Sequence, residues 1–411
     1  MKKQFLVCLM AAMTFGGMFT SCDDDDTVVI SMEETVFNNT NGLELTYSGT
    51  PLLGKQAVFS PTDNNTKATI VLSGVDFSVD GMPFMLPGSG VIPGKEKLTL
   101  NVDLVANGDI VTFEGTEVIE GDSVAYKGTA HKSFLKLDLN VVMPENPLTN
   151  KVIYSYKGVK ENSGFDPLIL DWCYMKSLGF DFDGDGKPDM TEDHAFNLYS
   201  PMFGMKLIDG MSVPEFLYGV LSEVKFLPDG NIQAMYKDTP ADPAYKASPL
   251  NIASYQFVED GKIKLFLNPD MIHYITSYTN TLASRAGMDE ALAEGIAKAL
   301  ALVNGCMKNG ITMGYEKNEK GYLEFYLDDA TIARPLFSIL VPILQEPAIQ
   351  KILESLVIDN FPEGLVIMGM PIKPDFAWNM ISALIKSMPE YLEMTKYIKL
   401  GMVFSEEPKT K

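Results

Sequence analysis

Between residues 43 and 157 apolar and polar positions alternate with a period of two. In KLTLNVDLV, Leu98, Leu100, Val102 and Leu104 alternate with Thr99, Asn101 and Asp103; in FLKLDLNVV, Leu135, Leu137, Leu139 and Val141 alternate with Lys136, Asp138 and Asn140. Successive side chains of a strand point to opposite faces, so each run predicts a strand with one buried side. Turn-forming clusters separate the runs: PTDNN at 61–65, PGSG at 87–90, NGD at 107–109 and EGD at 120–122. Short strands at this spacing predict an all-β N-terminal domain over 43–157, an antiparallel sandwich or barrel-like sheet. An aromatic-x-Gly element recurs from Tyr47, Phe113, Tyr126 and Tyr156. It reads as an aromatic pinning the sheet beside a glycine that permits a bend or bulge.

After about residue 165 the texture changes. Three hairpin patterns appear, at 222–237, 254–267 and 311–327, the first two turning on Asp-Gly. Glycine supplies the positive φ that such a tight turn needs. Between them lie helical patterns. Ser212-Val213-Pro214-Glu215 has the spacing of a capping box, in which Ser212 and Glu215 satisfy free N–H groups at a helix start. Leu292, Ile296, Leu300 and Val303 fall on one helix face, and Trp378, Ile381, Leu384 and Ile385 begin another. Residues 336–357 are apolar nearly all round and predict buried helices broken at Pro342 and Pro347. Asp166-Pro167 reads as the opening of a further helix carrying Leu168, Trp172 and Met175. Residues 158–411 therefore predict an α+β domain of antiparallel hairpins covered by helices. The turn-rich stretch 145–165 marks the boundary between the two parts.

The first 42 residues belong to neither pattern. Lys2 and Lys3 precede an apolar run from Phe5 to Phe19, too short and wrongly flanked for a spanning helix. It reads as a signal peptide over 1–21. Phe19-Thr20-Ser21-Cys22 resembles the lipobox of bacterial lipoproteins, which implies cleavage before Cys22 and lipid attachment to it. Asp23 to Asp26 resemble the acidic tract of surface-exposed lipoproteins of the Bacteroidetes, which implies a lipidated acidic tether over 22–42 and a place on the outer membrane, facing outward. Two acyl chains suffice for stable anchoring, since each buried CH2 contributes ~0.8 kcal/mol. The hairpin phrasing, the length and this start together resemble an uncharacterised family of Bacteroidetes lipoproteins, a domain of unknown function. That resemblance covers nearly all of the mature chain and implies no activity.

Charge narrows the partners. Cleavage before Cys22 removes two lysines and no acid, moving the formal charge from −21 to −23. So acidic a chain repels nucleic acid and anionic lipid surfaces, which excludes both. Beyond Cys22 the cysteines to account for are Cys173 and Cys306, compatible either with a disulfide in an oxidising compartment or with two buried thiols.

One motif carries metal chemistry. DFDGDGKPDMTE, residues 181–192, places Asp181, Asp183 and Asp185 at positions one, three and five of a calcium loop. Gly186 stands at the sharp turn, the Lys187 backbone carbonyl at seven, Asp189 at nine and Glu192 at the bidentate twelfth place. Five carboxylates in twelve residues repel one another unless a hard cation lies between them, and calcium accepts six to eight oxygens. The loop resembles those of EF-hands, dockerins and FG-GAP blades. Without a second copy to pair with, it reads as a structural clip, the alternative being an acidic solvated turn.

No catalytic constellation accompanies it. His131, His194 and His273 belong to no triad or H-E-x-x-H motif, and Gly88-Ser89-Gly90 lacks the strand-to-helix context of a nucleophile elbow. The leading reading is a non-catalytic, membrane-anchored protein that captures an extracellular glycan, peptide or lipid. A hydrolase with scattered acids, or a structural partner of an outer-membrane complex, are the alternatives. A dry apolar cavity favours lipid, and convergent carboxylates with shifted pKa values favour an enzyme.

Overall fold

The computed structural model describes residues 32–78, 85–157, 166–174, 193–194, 211–268, 305–306, 308–360, 365–367 and 370–408. The alternating half of the chain forms two sheets. One has the order β1 (Thr35–Asn38), β4 (Lys55–Thr62), β5 (Lys67–Gly74), β8 (Lys97–Asp103). The other runs β3 (Thr50–Pro51), β2 (Leu43–Tyr47), β12 (Phe134–Val142), β11 (Asp122–His131), β10 (Ile110–Ile119), β9 (Val105–Asn107). Inward residues of both, among them Phe59, Ile70, Leu100, Phe113 and Leu137, make one continuous core, which defines a sandwich. All its ladders are antiparallel except β2 on β12, which is parallel. A short β6 (Phe77–Ser78) and β7 (Met85–Leu86) pair beside it.

The expected boundaries move at both ends. Thr35–Asn38, inside the stretch read as a tether, pairs along β4, and Met32 is already buried in the sandwich core. At the other end, β13 (Val152–Ser155) leaves the sandwich and pairs with strands of the second half. The PENP turn before it is not loose: Leu148 is fully buried and its N–H donates to Asn146 Oδ1 at 2.9 Å.

Gly49, at φ 75° in the turn between β2 and β3, permits the bend expected of it, and Gly158 lies outside the described residues, but the Phe113 and Tyr126 elements have a different role. Phe113 lies opposite Gly128, and Tyr126 opposite Gly115, in an unshifted β10–β11 ladder. A Cβ on Gly115 would sit 2.5 Å from the Tyr126 hydroxyl, and one on Gly128 would sit 2.3 Å from the Phe113 ring. Each aromatic ring thus lies flat over the glycine of the other element. The same pairing recurs where Tyr326 covers Gly314.

The second half is built on one large sheet. It comprises β18 (Lys246–Ala247), β17 (Ile232–Tyr236), β16 (Leu221–Phe226), β13, β25 (Thr395–Ser405), β22 (Leu323–Leu327), β21 (Ile311–Lys317), β20 (Lys262–Leu267) and β19 (Ala253–Glu259), in that order. All three expected hairpins are present within it. A bridge between Asn231 and Ser254, with the Tyr255 N–H donating to Gly230 O at 2.7 Å, joins the β17 end to β19. The eight strands from β17 to β19 therefore curl into a barrel closed at that point. Rings from four of them meet inside: Phe226 lies 5.0 Å from Tyr255 and 5.6 Å from Phe325, and Phe325 lies 5.9 Å from Phe404.

β14 (Leu168–Tyr174) pairs with the first part of β25 and with β15 (Asp193–His194). This corrects the helix expected after Asp166-Pro167. Leu168 and Trp172 are four apart, which places them on one face in a helix and in a strand alike. The seven pairings to β25 decide between the two. Against this end of the sheet pack α2 (Arg334–Gln345), α3 (Pro347–Asn360) and α4 (Pro374–Glu393), around a cluster of Trp172, Tyr174, Val341, Trp378 and Tyr391. Pro342 sits inside α2 without ending it, while Pro347 opens α3 as expected. Among the described residues no single helix is long and apolar enough to cross a membrane. α1 (Val213–Val220) carries the complete capping box, Glu215 N–H donating to Ser212 Oγ and Ser212 N–H to Glu215 Oε2. The helix expected over 292–303 lies outside the described residues. β23 (Leu365–Ile367) and β24 (Met370–Ile372) complete the elements.

Candidate functional site

The barrel interior is filled at one end and empty beside it. Inward residues of β14, β22 and β25 run from the ring cluster of the barrel to the helical layer: Phe325 belongs to the former and Leu327, two residues on, packs against the latter. Between them lies a cavity of about 450 Å³. Nine strands line it, with side chains such as Ile153, Leu168, Leu265, Met313, Leu400 and Met402. Among the described residues, none that lines it is titratable or polar. Leu265, Met313, Leu327, Leu400 and Met402 line it yet remain only half-buried, so among the described residues no side chain fills it. Native cores are packed to crystal density, which makes an unfilled apolar space of this size informative.

On the outer faces of β14, β21, β22 and β25 charged and polar groups pair across strands. Lys399 Nζ bonds Glu316 Oε1 at 2.6 Å and also Glu324, beneath the Tyr326 ring at 4.5 Å. Tyr397 Oη donates to Asp171 Oδ2 at 2.9 Å. At one barrel end Glu406 takes Lys151 and Lys317 at 2.5 and 2.6 Å, which holds its carboxyl below the usual glutamate range. These pairs link strands and show no convergent catalytic geometry.

The barrel and the sandwich meet through buried polar groups. Tyr47 Oη donates to Asp229 O at 2.6 Å, and burial, with Asp229 and Asp122 nearby, pushes its phenol well above the usual value. The Asn251 side chain donates to the carbonyls of Tyr47, Thr50 and Pro51, at 3.3, 3.0 and 3.1 Å. Asn268 adds a bond to Leu53 O at 3.2 Å, and Met143 N–H one to Pro228 O at 2.9 Å.

Of the residues singled out in the sequence, few fall near the cavity. Cys22, and Asp181, Asp183, Asp185, Lys187, Asp189 and Glu192 of the acidic loop, lie outside the described residues. Among those described, no group of three or more histidines, cysteines or carboxylates is placed to hold a metal ion. Cys173 and Cys306 are both free thiols. Cys173 is buried on β14 opposite His194, and burial pushes the Cys306 thiol up. His131 is a packing histidine, stacked on Phe134 at 5.3 Å with Ser133 Oγ at 2.9 Å; His273 lies outside the described residues. Ser89 accepts from the buried Lys55 Nζ through both its carbonyl, at 2.7 Å, and its hydroxyl, at 3.1 Å. That arrangement fastens a loop and activates nothing. The cavity itself was missed, since its lining residues read locally as ordinary strand cores.

No family model, no curated protein and no solved structure matches the chain.

Proposed function

We propose that the chain is a non-catalytic binding protein whose ligand is an apolar chain held in the barrel cavity. The observation that carries this reading is the space of about 450 Å³ whose described lining residues are all apolar or glycine. Its volume falls within the roughly 300–1,000 Å³ of small-molecule sites. A hydrolase would need a nucleophile or an acid–base pair at the bound group, and the described residues of this wall supply neither. An acyl or alkyl chain needs only area: each buried methylene contributes about 0.8 kcal/mol.

Displacement of a fluorescent apolar probe by straight-chain carboxylates of increasing length tests it. Two added carbons should tighten binding by roughly tenfold, from about 1.6 kcal/mol of extra burial, until the chain outgrows the cavity. Ala253→Trp, which places an indole in the lumen, should abolish displacement, and Val258→Ala on the exposed end of the same strand should not. Binding independent of chain length, or unaltered by Ala253→Trp, contradicts the reading.

Two further parts rest on the sequence. Cys22 is the lipid attachment site and holds the protein on the outer membrane, facing outward. Cys22→Ala should release the protein from membranes or block its maturation, and membrane association and processing both unchanged from wild type count against the anchor. Residues 181–192 bind a structural calcium ion. At a hundredfold excess over Kd such an ion stabilises the native state by about 2.7 kcal/mol. Over a chain this long that is a rise in Tm of roughly 2 °C or a little more. Calcium should restore what chelator removes, magnesium should do so less well, and Asp181→Ala or Asp183→Ala should abolish the response. Calorimetry with no calcium uptake at millimolar concentration removes the site.

A further inference from the structure

A second cavity, of about 500 Å³, opens where the end of β5 and the loop before β8 approach the outer face of β20. It is separate from the barrel cavity: Lys264 and Phe266 face out of β20 into it, while Ile263 and Leu265 face inward. Its charge inverts that of the chain. The whole sequence has 54 acidic residues to 33 basic ones, yet the wall holds Lys95, Lys97, Lys264 and Lys308 against Asp76 and Glu96.

The four lysines are not equivalent. Lys95 is committed to structure, its ammonium 2.7 Å from the buried Asp122 and 3.2 Å from Glu120, and donating to Ile119 O at 2.8 Å. Lys308 faces Glu96 at 3.5 Å, an exposed pair that water and salt weaken. Lys97 and Lys264 have no ion pair among the described residues. Self-repulsion on so acidic a surface would favour giving each free ammonium a carboxylate, and here two are left without one at the same opening.

The floor between them is backbone packed on backbone. A Cβ on Gly74 would sit 2.3 Å from Gly88 O, and one on Gly90 would sit 1.7 Å from Lys95 O. Glycine at these places lets the end of β5 meet the loop and the loop fold back on itself, and leaves no side chain to occupy the space. Lys55, buried beneath, fastens the loop through Ser89. A rigid floor reduces the ordering cost of binding.

We infer that this cleft binds a polar organic anion, with two acidic oxygen groups set to reach Lys97 and Lys264. Ammonium groups act as point charges toward phosphate, sulfate and carboxylate alike, so the shared chemistry is the paired oxyanion. Calorimetry with inorganic pyrophosphate and with digalacturonic acid on the full chain separates phosphorylated from acidic-sugar ligands. At least one probe should bind saturably, more weakly as salt rises. Lys97→Glu with Lys264→Glu should weaken that binding by more than about tenfold. Lys320→Glu, the same charge change on a turn outside the cleft, should leave it within about twofold. Both lysines border solvent, so equal melting temperatures will show that the variants are folded. Binding indifferent to the double reversal, equal loss in Lys320→Glu, or no saturation of either probe by about 1 mM, overturns the assignment.

Discussion

Trp172→Ala is expected to be the most damaging single substitution outside the cavity, lowering stability by about 3–5 kcal/mol. Trp172 is fully buried on β14, its ring 5.1 Å from Phe337 of α2 and edge-on to Tyr391 of α4 at 6.5 Å. Its indole N–H donates to Thr395 Oγ1 at 2.8 Å, on the first residue of β25. One side chain thus joins two helices to the two strands on which they rest. Removing it opens a void under the helical layer that flanking rings cannot close without moving both helices. Domains are stable by only about 5–15 kcal/mol, so the loss is a large share of the margin. Thermal denaturation should shift down by roughly 4–6 °C. Trp172→Phe keeps most of the packing and gives up the indole bond, so its loss should be about 1–2 kcal/mol. A shift below about 2 °C for Trp172→Ala contradicts the packing described for this layer.

The same residue shows where sequence reasoning succeeds and where it stops. The hairpins at 222–237, 254–267 and 311–327 are legible because turn and strands are contiguous, so local chemistry specifies them. The capping box at Ser212 is legible for the same reason. β14 is not, because its partner β25 begins more than two hundred residues later and nothing near Trp172 reports it. β13 alternates like the sandwich strands that precede it, yet its partners are β16 and β25. The cavity is less legible still. Its wall draws one to four residues from each of nine strands between residues 153 and 404. In each strand those residues alternate as buried core residues do. What makes a site is that opposing walls fail to meet, and no single segment encodes that.

The positive cleft is invisible for a related reason. Lys97 and Lys264 sit in unrelated strands, each with the ordinary polar position of an alternating run. Only the approach of the glycine-rich 87–96 loop to β20 puts them at one opening.

Asn251→Ala should uncouple the sandwich from the barrel. The residue is buried in the left-handed region, at φ 65°, which favours asparagine and glycine over alanine. Its own N–H donates to Asn231 Oδ1 at 2.7 Å, and Asn231 is in turn held by both carboxylate oxygens of Asp229. Its side chain reaches across to three carbonyls of the β2–β3 turn, so alanine leaves the buried Tyr47 carbonyl and the half-buried Thr50 and Pro51 carbonyls without this donor. Each unsatisfied buried group costs about 1–3 kcal/mol and the backbone conformation about 1–2 more, so the junction should weaken by about 3 kcal/mol or more. Asn251→Gly relieves the backbone but not the carbonyls, and should fall between alanine and wild type. Both tryptophans, Trp172 on β14 and Trp378 on α4, belong to the core cluster under the helices, so their fluorescence reports only that half, while far-ultraviolet circular dichroism reports both. In the wild type the two signals should coincide in one transition, and the 143–151 segment should resist protease because Leu148 is fully buried. In Asn251→Ala they should separate, with cleavage appearing in that segment. Coincident transitions and unchanged protection in the variant would show that apolar contact alone couples the two sheets.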